Sequence, residues 1–355
     1  MPLGHASADL LALMPKAELH LHLDGSLRPQ TALELARERG LDAGMSLGDM
    51  TRRLQAPPQA ADQAELLAAF DLAIMIMQDA AAIERITFEL VEDVAADGTR
   101  YVEIRWAPAL HLVRGLDLRG SIGAVVAGAR RGAAATGVLV RLIAVALRSH
   151  PPATSLEVAT EAARFIDQGL TGFDLAGREQ EFASPLPHRR AFDAARAAGL
   201  GITIHAGEWG GAAQVRRALE VSPARIAHGA PAADDPGLMA ELISRGVTLD
   251  LCPTSNVQAS IYATLADFPL PRLLRAGVPV TLSTDDRTVS DLTLVREYER
   301  AHTVLGLSLA ELWAMNVHAL RVAFLHHDEA LRARLIDEFE SFAASEPLLG
   351  RHPVQ

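Results

Sequence analysis

Eight short apolar runs, separated by longer stretches of helical character, constrain the fold of this chain more than any other feature. Several runs are almost continuously apolar, which is typical of parallel strands buried on both faces. Eight strand–helix repeats predict an α/β protein with a (β/α)8 TIM barrel, and we expect a single domain over residues 1–355. The runs cover residues 17–23, 100–106, 138–147, 171–177, 201–207, 225–229, 247–253 and 278–286.

An open doubly wound sheet is the alternative architecture, since it also alternates strands with helices. The chain has no G-x-G-x-x-G sequence after its first strand and no P-loop, so this alternative is less favoured. Residues 24–99 are too many for one helix between two strands. We therefore expect extra helices inserted over the end of the first strand, as a candidate lid, and a helical tail after residue 300.

The composition of the chain limits the kinds of binding partner and the cellular compartment that we expect for it. With 44 acidic and 33 basic residues, the net charge is −11, which argues against nucleic acid because phosphate binding needs clustered cations. The single cysteine, Cys252, excludes an internal disulfide and a cysteine-rich zinc site. The first residues lack a cationic start, and no apolar run reaches the roughly 18 residues that span a bilayer. We expect a cytoplasmic protein without membrane partners, and the sequence leaves its oligomeric state open.

The sequence AELHLHLDGS, residues 17–26, places two histidines inside the first apolar run. Side chains of a strand alternate between faces, so His20 and His22 project side by side. Such a pair alone often means one core histidine and one surface histidine. Followed by Asp24, however, it also resembles the first half of a metal site.

Polar residues also end three further predicted strands, which favours a metal site over one core histidine and one surface histidine. The carboxyl ends of barrel strands share one face of the molecule, where active sites of this fold lie. Capping or core packing explains each motif singly but not their joint occurrence at one end of the barrel. The motifs are HAGE with His205 and Glu208, AHG with His228, and STDD with Asp285 and Asp286.

Three imidazoles and one carboxylate suit a borderline ion such as zinc, whereas magnesium or calcium prefers oxygen ligands. A zinc ion with an open position lowers the pKa of bound water and supplies a hydroxide. Glu208 lies beyond the strand that carries His205 and is a candidate proton shuttle, and His228 is placed to orient the hydroxide. The candidate ligands are His20, His22, His205 and Asp285.

The motifs also resemble, in the same order, those of the adenosine deaminase family of the amidohydrolase superfamily. The resemblance covers about residues 12–340 and is specific, because separate motifs agree in order. Other segments, such as FELVEDVAADGTRYVEIRWAP, are similar as well. The matching motifs are MPKAELHLHLDGSLRP, FDLAG, HAGEWGG, RIAHG, CPTSNVQ and LSTDD.

This resemblance implies hydrolytic deamination of a 6-aminopurine at C6, with release of ammonia. The expected substrate is adenosine or 2′-deoxyadenosine, and the alternative is adenine or 6-aminodeoxyfutalosine. The resemblance gives each motif residue a role. These are zinc ligation by His20, His22, His205 and Asp285, protonation of purine N1 by Glu208, hydroxide binding by His228, contact with N7 by Asp286, a backbone N–H to N3 from Gly177, and contact with ribose by Asp24.

Two departures from the family pattern concern substrate specificity. Arg287 stands where many members have proline after the Asp-Asp pair, and Trp209 follows HAGE. We expect Arg287 either to reach a polar group of the substrate or to pair with a nearby acid such as Asp291. Phe70, in the inserted helices, is either an apolar gate over the base or ordinary helix core.

Other residues are expected to serve the scaffold. Glu103 and Arg105 share one face of the second strand and should form a buried pair. Cys252 should be a small buried apolar residue rather than a nucleophile. The TSN sequence, residues 254–256, is interpreted as loop and helix-cap chemistry.

Two other functions are compatible with the motifs. One is a different hydrolase of the superfamily that acts on an amide or phosphoester. Its two-metal members usually recruit a bridging lysine, and the only lysine here, Lys16, precedes the first strand. The other is a non-catalytic nucleoside sensor, against which the intact Glu208 and the full set of candidate ligands argue.

Overall fold

The computed structural model describes residues 5–325 and 328–349, and eight parallel strands form its centre. Neighbouring strands pair in sequence order, and a bridge between Leu21 and Asp285 joins the last strand to the first. The sheet thus closes on itself, which confirms the predicted TIM barrel. The strands are β1 (Lys16–His22), β2 (Thr99–Trp106), β3 (Leu139–Leu147), β4 (Leu170–Ala176), β5 (Gly201–Ala206), β6 (Arg225–His228), β7 (Thr248–Leu251) and β8 (Val280–Leu282).

The eighth strand is shorter than its apolar run, residues 278–286. The backbone N–H of Thr284 donates to the side-chain carboxylate of Glu18 on β1, at 2.8 Å, instead of to a backbone carbonyl of the sheet. Asp285 then adopts a left-handed backbone with φ of 68°. These two features interrupt the regular strand pattern after Leu282.

Helices surround the barrel. Those before β3 are α1 (His5–Leu13), α2 (Pro29–Glu38), α3 (Leu47–Leu54), α4 (Gln63–Leu67), α5 (Asp71–Ile76), α6 (Ala80–Ala96) and α7 (Leu118–Thr136). Those after β3 are α8 (Pro152–Ala163), α9 (Arg189–Ala197), α10 (Gly211–Ala218), α11 (Pro236–Arg245), α12 (Pro253–Gln258), α13 (Leu270–Arg275), α14 (Leu294–Thr303), α15 (Leu309–Val322) and α16 (Glu329–Ser345).

The expected insertion between β1 and β2 is present as helices α2 to α5, which precede α6. The expected helical tail is also present, but part of it belongs to the barrel wall. On α15, Asn316 accepts a hydrogen bond from the Ala17 N–H at 2.9 Å and donates one to the Pro15 carbonyl at 2.7 Å. These bonds fix α15 against the start of β1.

The barrel interior contains ion pairs as well as aliphatic side chains. Arg225 on β6 pairs with Glu103 on β2, across the barrel, and its Nε lies 3.1 Å from Asp250 Oδ2 on β7. Arg105 on β2 lies 2.9 Å from Asp174 on β4. All five side chains are fully buried. Glu103 and Arg105 are therefore buried as expected, but the prediction that they pair with each other is wrong, because each finds a partner on another strand.

Within residues 5–325 and 328–349, no helix combines the length and the apolar character that crossing a membrane requires. The expectation of one domain over residues 1–355 extends beyond these described residues and stays a prediction.

Candidate active site

Four predicted ligand side chains meet at the carboxyl ends of the strands. His22 Nε2 lies 3.2 Å from His20 Nε2 and 3.2 Å from His205 Nε2. Asp285 Oδ1 lies 2.9 Å from His20 Nε2 and 3.4 Å from His22 Nε2. β1 thus presents two imidazoles to one point, as the alternation of strand side chains requires, and β5 and the end of β8 supply the other two groups.

These separations fit a shared metal ion. Ligand nitrogens about 2.0–2.1 Å from a tetrahedral zinc ion lie about 3.3 Å from one another. Burial lowers the pKa of His20 well below its usual range and that of His22 to about 3, so both rings are neutral ligands at pH 7. Burial by itself would raise the pKa of Asp285, but His20 and His228 beside it hold that pKa well below its usual range, which keeps the carboxylate ionised.

His228 lies beside this cluster, at the end of β6. Each of His20, His205, His228 and Asp285 places a ligand atom within 4.8 Å of the others. The closest carboxylate approach of His228 is longer than those of His20 and His22, with 3.8 Å between its Nε2 and Asp285 Oδ2. His228 therefore lies against the cluster, with its ring centre 4.9 Å from that of His20 and 5.3 Å from that of His205.

Residues that the sequence analysis did not assign hold this cluster in place. Asp174 Oδ2 on β4 lies 2.8 Å from His205 Nδ1, which leaves Nε2 of that ring to face the cluster. On α12, the Ser255 hydroxyl donates to Asp285 Oδ2 at 2.7 Å, and Asn256 Nδ2 lies 3.2 Å from His228 Nδ1. The expectation of plain loop and cap chemistry for residues 254–256 is thus corrected, because two of them contact candidate site residues.

Glu208 lies three residues after His205 and faces His228, with 3.9 Å between Oε2 and the histidine Nε2. The pKa of the Glu208 carboxyl is raised to about 8, mainly by burial and also by the Asp285 and Glu179 carboxylates, with His205 opposing them. The side chain can therefore hold a proton at neutral pH, as a general acid requires.

Asp286 and Asp24 line the same cavity as Glu208. Burial raises the pKa of Asp286 well above its usual range, and the neighbouring carboxylates of Asp285 and Asp24 add to the effect. Burial also raises the pKa of Asp24 to about 6. Gly25 packs so tightly on Asp286 that a Cβ at this glycine would lie 1.8 Å from Asp286 Oδ1.

Two residues of the site adopt the left-handed backbone conformation. His228 and Asp285 have φ of 67° and 68°, values that non-glycine residues rarely adopt and that persist where surrounding contacts enforce them. Gly177, with φ of 99°, directly follows β4 and lines the same cavity. The strand ends are therefore shaped to direct these residues at a common point.

The cavity over the cluster has a volume of about 310 Å³ and is closed on one side by helices α4 and α5. Its polar floor contains the cluster, and its outer wall is apolar. A wider groove of about 730 Å³ lies at the amino ends of β3 and β4 and contains none of the candidate site residues. The apolar wall includes Leu66, Leu67, Phe70, Ile74, Leu110, Val145, Leu147 and Trp209.

The structure places Trp209 and Arg287, the two residues at which the sequence departs from the family pattern. Trp209 and Phe70 both line the cavity and pack against the same small apolar group, which includes Leu66. The Phe70 side chain is thus part of the helix packing, and its role as a gate stays a prediction. Arg287 Nη1 lies 2.7 Å from Asp97 Oδ2, and the arginine side chain is only 9% exposed. Asp291 instead lies 3.8 Å from Arg296. The prediction that Arg287 pairs with an acid is confirmed, but the acid is Asp97 at the end of α6 and not Asp291.

A closed (β/α)8 barrel with a histidine–carboxylate cluster at the carboxyl ends of its strands defines the class of metal-dependent amidohydrolases. Comparison with known proteins narrows the class further. The family model for adenosine deaminase matches residues 15–341, so the chain belongs to the adenosine deaminase family and is a hydrolytic deaminase.

Individual relatives agree with this membership. The adenosine deaminase of Mycobacteroides abscessus is 39% identical over 353 residues, which cover 94% of this chain and 96% of the relative. The adenine deaminase from Arthrobacter aurescens superposes with a TM-score of 0.84 at 28% identity, over 93% of this chain and 99% of that structure. The N6-methyl-AMP deaminase from Arabidopsis thaliana gives a TM-score of 0.82 at 29% identity, over 96% and 100%.

Proposed function

We propose that the protein hydrolyses the 6-amino group of adenosine or 2′-deoxyadenosine, giving inosine or 2′-deoxyinosine and ammonia. The observation that carries this proposal is the convergence of four ligand groups, a protonated acid and a second raised-pKa carboxyl on one cavity of about 310 Å³. Relatives whose names specify adenosine, adenine and N6-methyl-AMP all act on a 6-aminopurine ring.

The ligand set that fits a zinc ion is His20, His22, His205 and Asp285. A bound zinc ion supplies a hydroxide nucleophile at neutral pH, because it lowers the pKa of the water it binds. Three imidazoles and one carboxylate, rather than an all-oxygen set, support zinc over magnesium or calcium.

Glu208 is the proposed general acid. Its raised pKa keeps a proton on the carboxyl, which it donates to purine N1 as water adds to C6. Protonation of N1 withdraws electrons from C6 and makes that carbon the electrophile. The proton that the attacking water loses returns to the Glu208 carboxylate. When the C6–N bond breaks, Glu208 passes this proton to the departing nitrogen, which leaves as ammonia, and takes up the proton of the C6 hydroxyl as the C6=O of hypoxanthine forms.

His228 and Asp286 are proposed to act as hydrogen-bond donors. Asn256 Nδ2 donates to His228 Nδ1, which leaves the proton of the neutral ring on Nε2, facing Asp285 and the attacking water. Purine N7 is an acceptor without a proton. The raised pKa of Asp286 supplies the proton that a hydrogen bond to N7 needs. The Gly177 N–H is the matching donor to N3.

The charges of the cavity favour a nucleoside over a nucleotide. Five acidic side chains line it, and although Glu208 and Asp286 hold protons, a phosphate monoester would have to approach the carboxylates of the others. Arg178 is the cationic side chain at the rim, half exposed and 3.2 Å from Glu181. Asp24 instead offers a carboxylate to the hydroxyl groups of a sugar. The acidic side chains are Asp24, Asp71, Glu208, Asp285 and Asp286.

A deamination panel on the zinc-loaded protein tests the proposal. Ammonia release and the ultraviolet change from adenine to hypoxanthine are followed with adenosine, 2′-deoxyadenosine, adenine, 6-aminodeoxyfutalosine and AMP, and Glu208→Gln is the control. We expect the nucleosides to turn over fastest and the control to be inactive. Preference for adenine or 6-aminodeoxyfutalosine would move the assignment to that alternative substrate, and inactivity on every compound would refute deamination of 6-aminopurines.

A further inference from the structure

The turn that carries Glu208 is held by a side chain from another strand end. Glu179 follows β4 and is only 3% exposed. Its Oε2 accepts a hydrogen bond from the Gly207 N–H at 2.9 Å, and its Oε1 accepts one from the Gly210 N–H at 2.7 Å. The Trp209 N–H also donates to Oε1. These three donors bracket Glu208 on both sides.

We propose that Glu179 is a positioning residue for the reaction, which fixes the turn so that Glu208 delivers its proton to purine N1. This inference rests on the proposed function, because it needs Glu208 to be the proton donor. The Glu179 carboxylate acts on the acid through its hydrogen bonds to the backbone on either side and also through its charge, which Glu179→Asp retains.

The sequence of the turn explains why an external clamp is needed. HAGEWGG contains three glycines, and Gly207 and Gly211 have φ of 81° and 64°. Glycine loses more conformational freedom on ordering than any other residue, so a turn rich in glycine is not rigid by itself. Three charge-assisted hydrogen bonds to one buried carboxylate provide the missing restraint.

Further contacts tie the two strand ends together. Gln180 donates to the Trp209 carbonyl at 2.8 Å, and Gln214 on α10 donates to the Glu179 carbonyl at 2.9 Å. Gly177, the proposed N3 donor, lies two residues before Glu179. The loop after β4 thus carries the N3 contact and also holds the N1 acid, which fixes the spacing between two contacts on one purine ring.

Glu179→Gln tests the clamp because it keeps the side-chain size and removes the charge. The glutamine amide has one oxygen that accepts hydrogen bonds and one NH2 group that only donates them. The NH2 group would face a backbone N–H of the turn, so at least one of the hydrogen bonds that hold the turn is lost. We expect kcat for the preferred nucleoside to fall by about 100-fold, since misplacement of a reacting group by roughly 1 Å costs on that order. KM, inhibition by inosine and bound zinc should stay within about threefold, because the cavity floor is unchanged.

A second readout does not depend on turnover. Hydrogen–deuterium exchange of the backbone amides in residues 206–211 should become at least about tenfold faster in the variant, because the amides lose their acceptor. Glu89→Gln is the matched control. Glu89 is also largely buried, but it bonds to Thr31 and Arg85 on outer helices, so this variant should change neither kcat nor the exchange of residues 206–211.

Glu179→Asp keeps the charge but shortens the side chain by one methylene, and it serves if the glutamine variant does not fold. It should also lower kcat and accelerate exchange at residues 206–211. Unchanged exchange, or a kcat within about twofold of the parent, would overturn the clamp while leaving the deaminase assignment intact. An inactive parent protein would instead refute the proposed function, and the exchange measurement would still decide whether Glu179 restrains the turn.

Discussion

Replacing Asp174 by asparagine is expected to weaken metal binding without removing any proposed ligand. Asp174 Oδ2 lies 2.8 Å from His205 Nδ1, on the side of the ring opposite the cluster. His205 and Arg105 beside it keep the pKa of the buried Asp174 carboxyl well below its usual range, so the group is an anion. The anion orients the imidazole and increases the basicity of Nε2, and a neutral amide does this less well.

The expected magnitude has two parts. Loss of a carboxylate behind a histidine ligand weakens metal binding by about 10- to 100-fold, or about 1.4–2.7 kcal/mol. Arg105, fully buried and 2.9 Å from Asp174, also loses its closest carboxylate. Breaking such a buried pair lowers the free energy of unfolding by about 3–5 kcal/mol. Metal affinity and stability must therefore be measured separately.

Asp250→Asn is the matched control, because it damages the same interior network without touching a candidate ligand. Asp250 lies 3.1 Å from Arg225, 3.8 Å from Arg105 and 2.8 Å from the Thr281 hydroxyl. Zinc dissociation constants come from competition with a chromophoric chelator, and unfolding free energies come from urea titration of the metal-free proteins. Both variants should lose stability, but only Asp174→Asn should lose affinity for zinc.

Equal zinc affinities for Asp174→Asn and the parent protein would refute this reasoning. That result would mean that Asp174 serves only as a counter-ion for Arg105. If both variants lost affinity equally, the interior network would act through general loosening of the barrel, and no specific role for Asp174 behind His205 would remain.

Three further predictions address other parts of the site and the scaffold. Gly25→Ala should reduce kcat/KM by about 100-fold with zinc content unchanged, because the new Cβ would lie 1.8 Å from Asp286 Oδ1 and displace that carboxyl; metal analysis beside kinetics would detect a loss of metal instead. Burial lowers the pKa of His111 to about 4, so its stabilising effect is complete above the unfolded value of 6.5 and is lost as the pH falls towards 4. The drop in unfolding free energy from pH 7.5 to 5 should thus be smaller by about 2 kcal/mol in His111→Leu, and an unchanged drop in urea titrations would contradict the assignment. Removal of metal with dipicolinate should abolish deamination and zinc should restore it, whereas activity that survives complete chelation would refute the metal site.

The architecture and the members of the cluster were accessible from the sequence for one physical reason. Parallel strands buried on both faces are apolar runs, so a histidine or an aspartate in or directly after such a run stands out. His20, His22, His205 and Asp285 each occupy such a position. The barrel then requires the ends of β1, β5 and β8 to meet, and no detailed knowledge of the packing is needed to bring the four residues together.

The supporting residues could not be predicted in the same way. Asp174 and Arg105 each lie within an apolar run, so the sequence indicates that both are buried charges. The run does not show which strand supplies the opposite charge for either of them. The incorrect pairing of Glu103 with Arg105 illustrates this: the two share a face of β2, but their partners lie on β4 and β6. Arg287 likewise pairs with Asp97, which is distant in sequence, and not with Asp291, which is only four residues away. The available signal was only that a buried charge requires a partner.

The proposed reacting groups and the groups that hold them in place come from different strands of the barrel. The proposed ligands and acid lie on or after β1, β5 and β8, whereas the groups that hold them come from β4 and β7, with Asp174 on β4, Glu179 after β4 and Ser255 after β7. In a closed barrel each strand end has two neighbours, so a supporting group from the adjacent strand can reach a ligand from the side without entering the cavity. Substitutions at these supporting positions should therefore change metal affinity or kcat while leaving the shape of the purine cavity intact, and this is the shared expectation for Asp174 and Glu179.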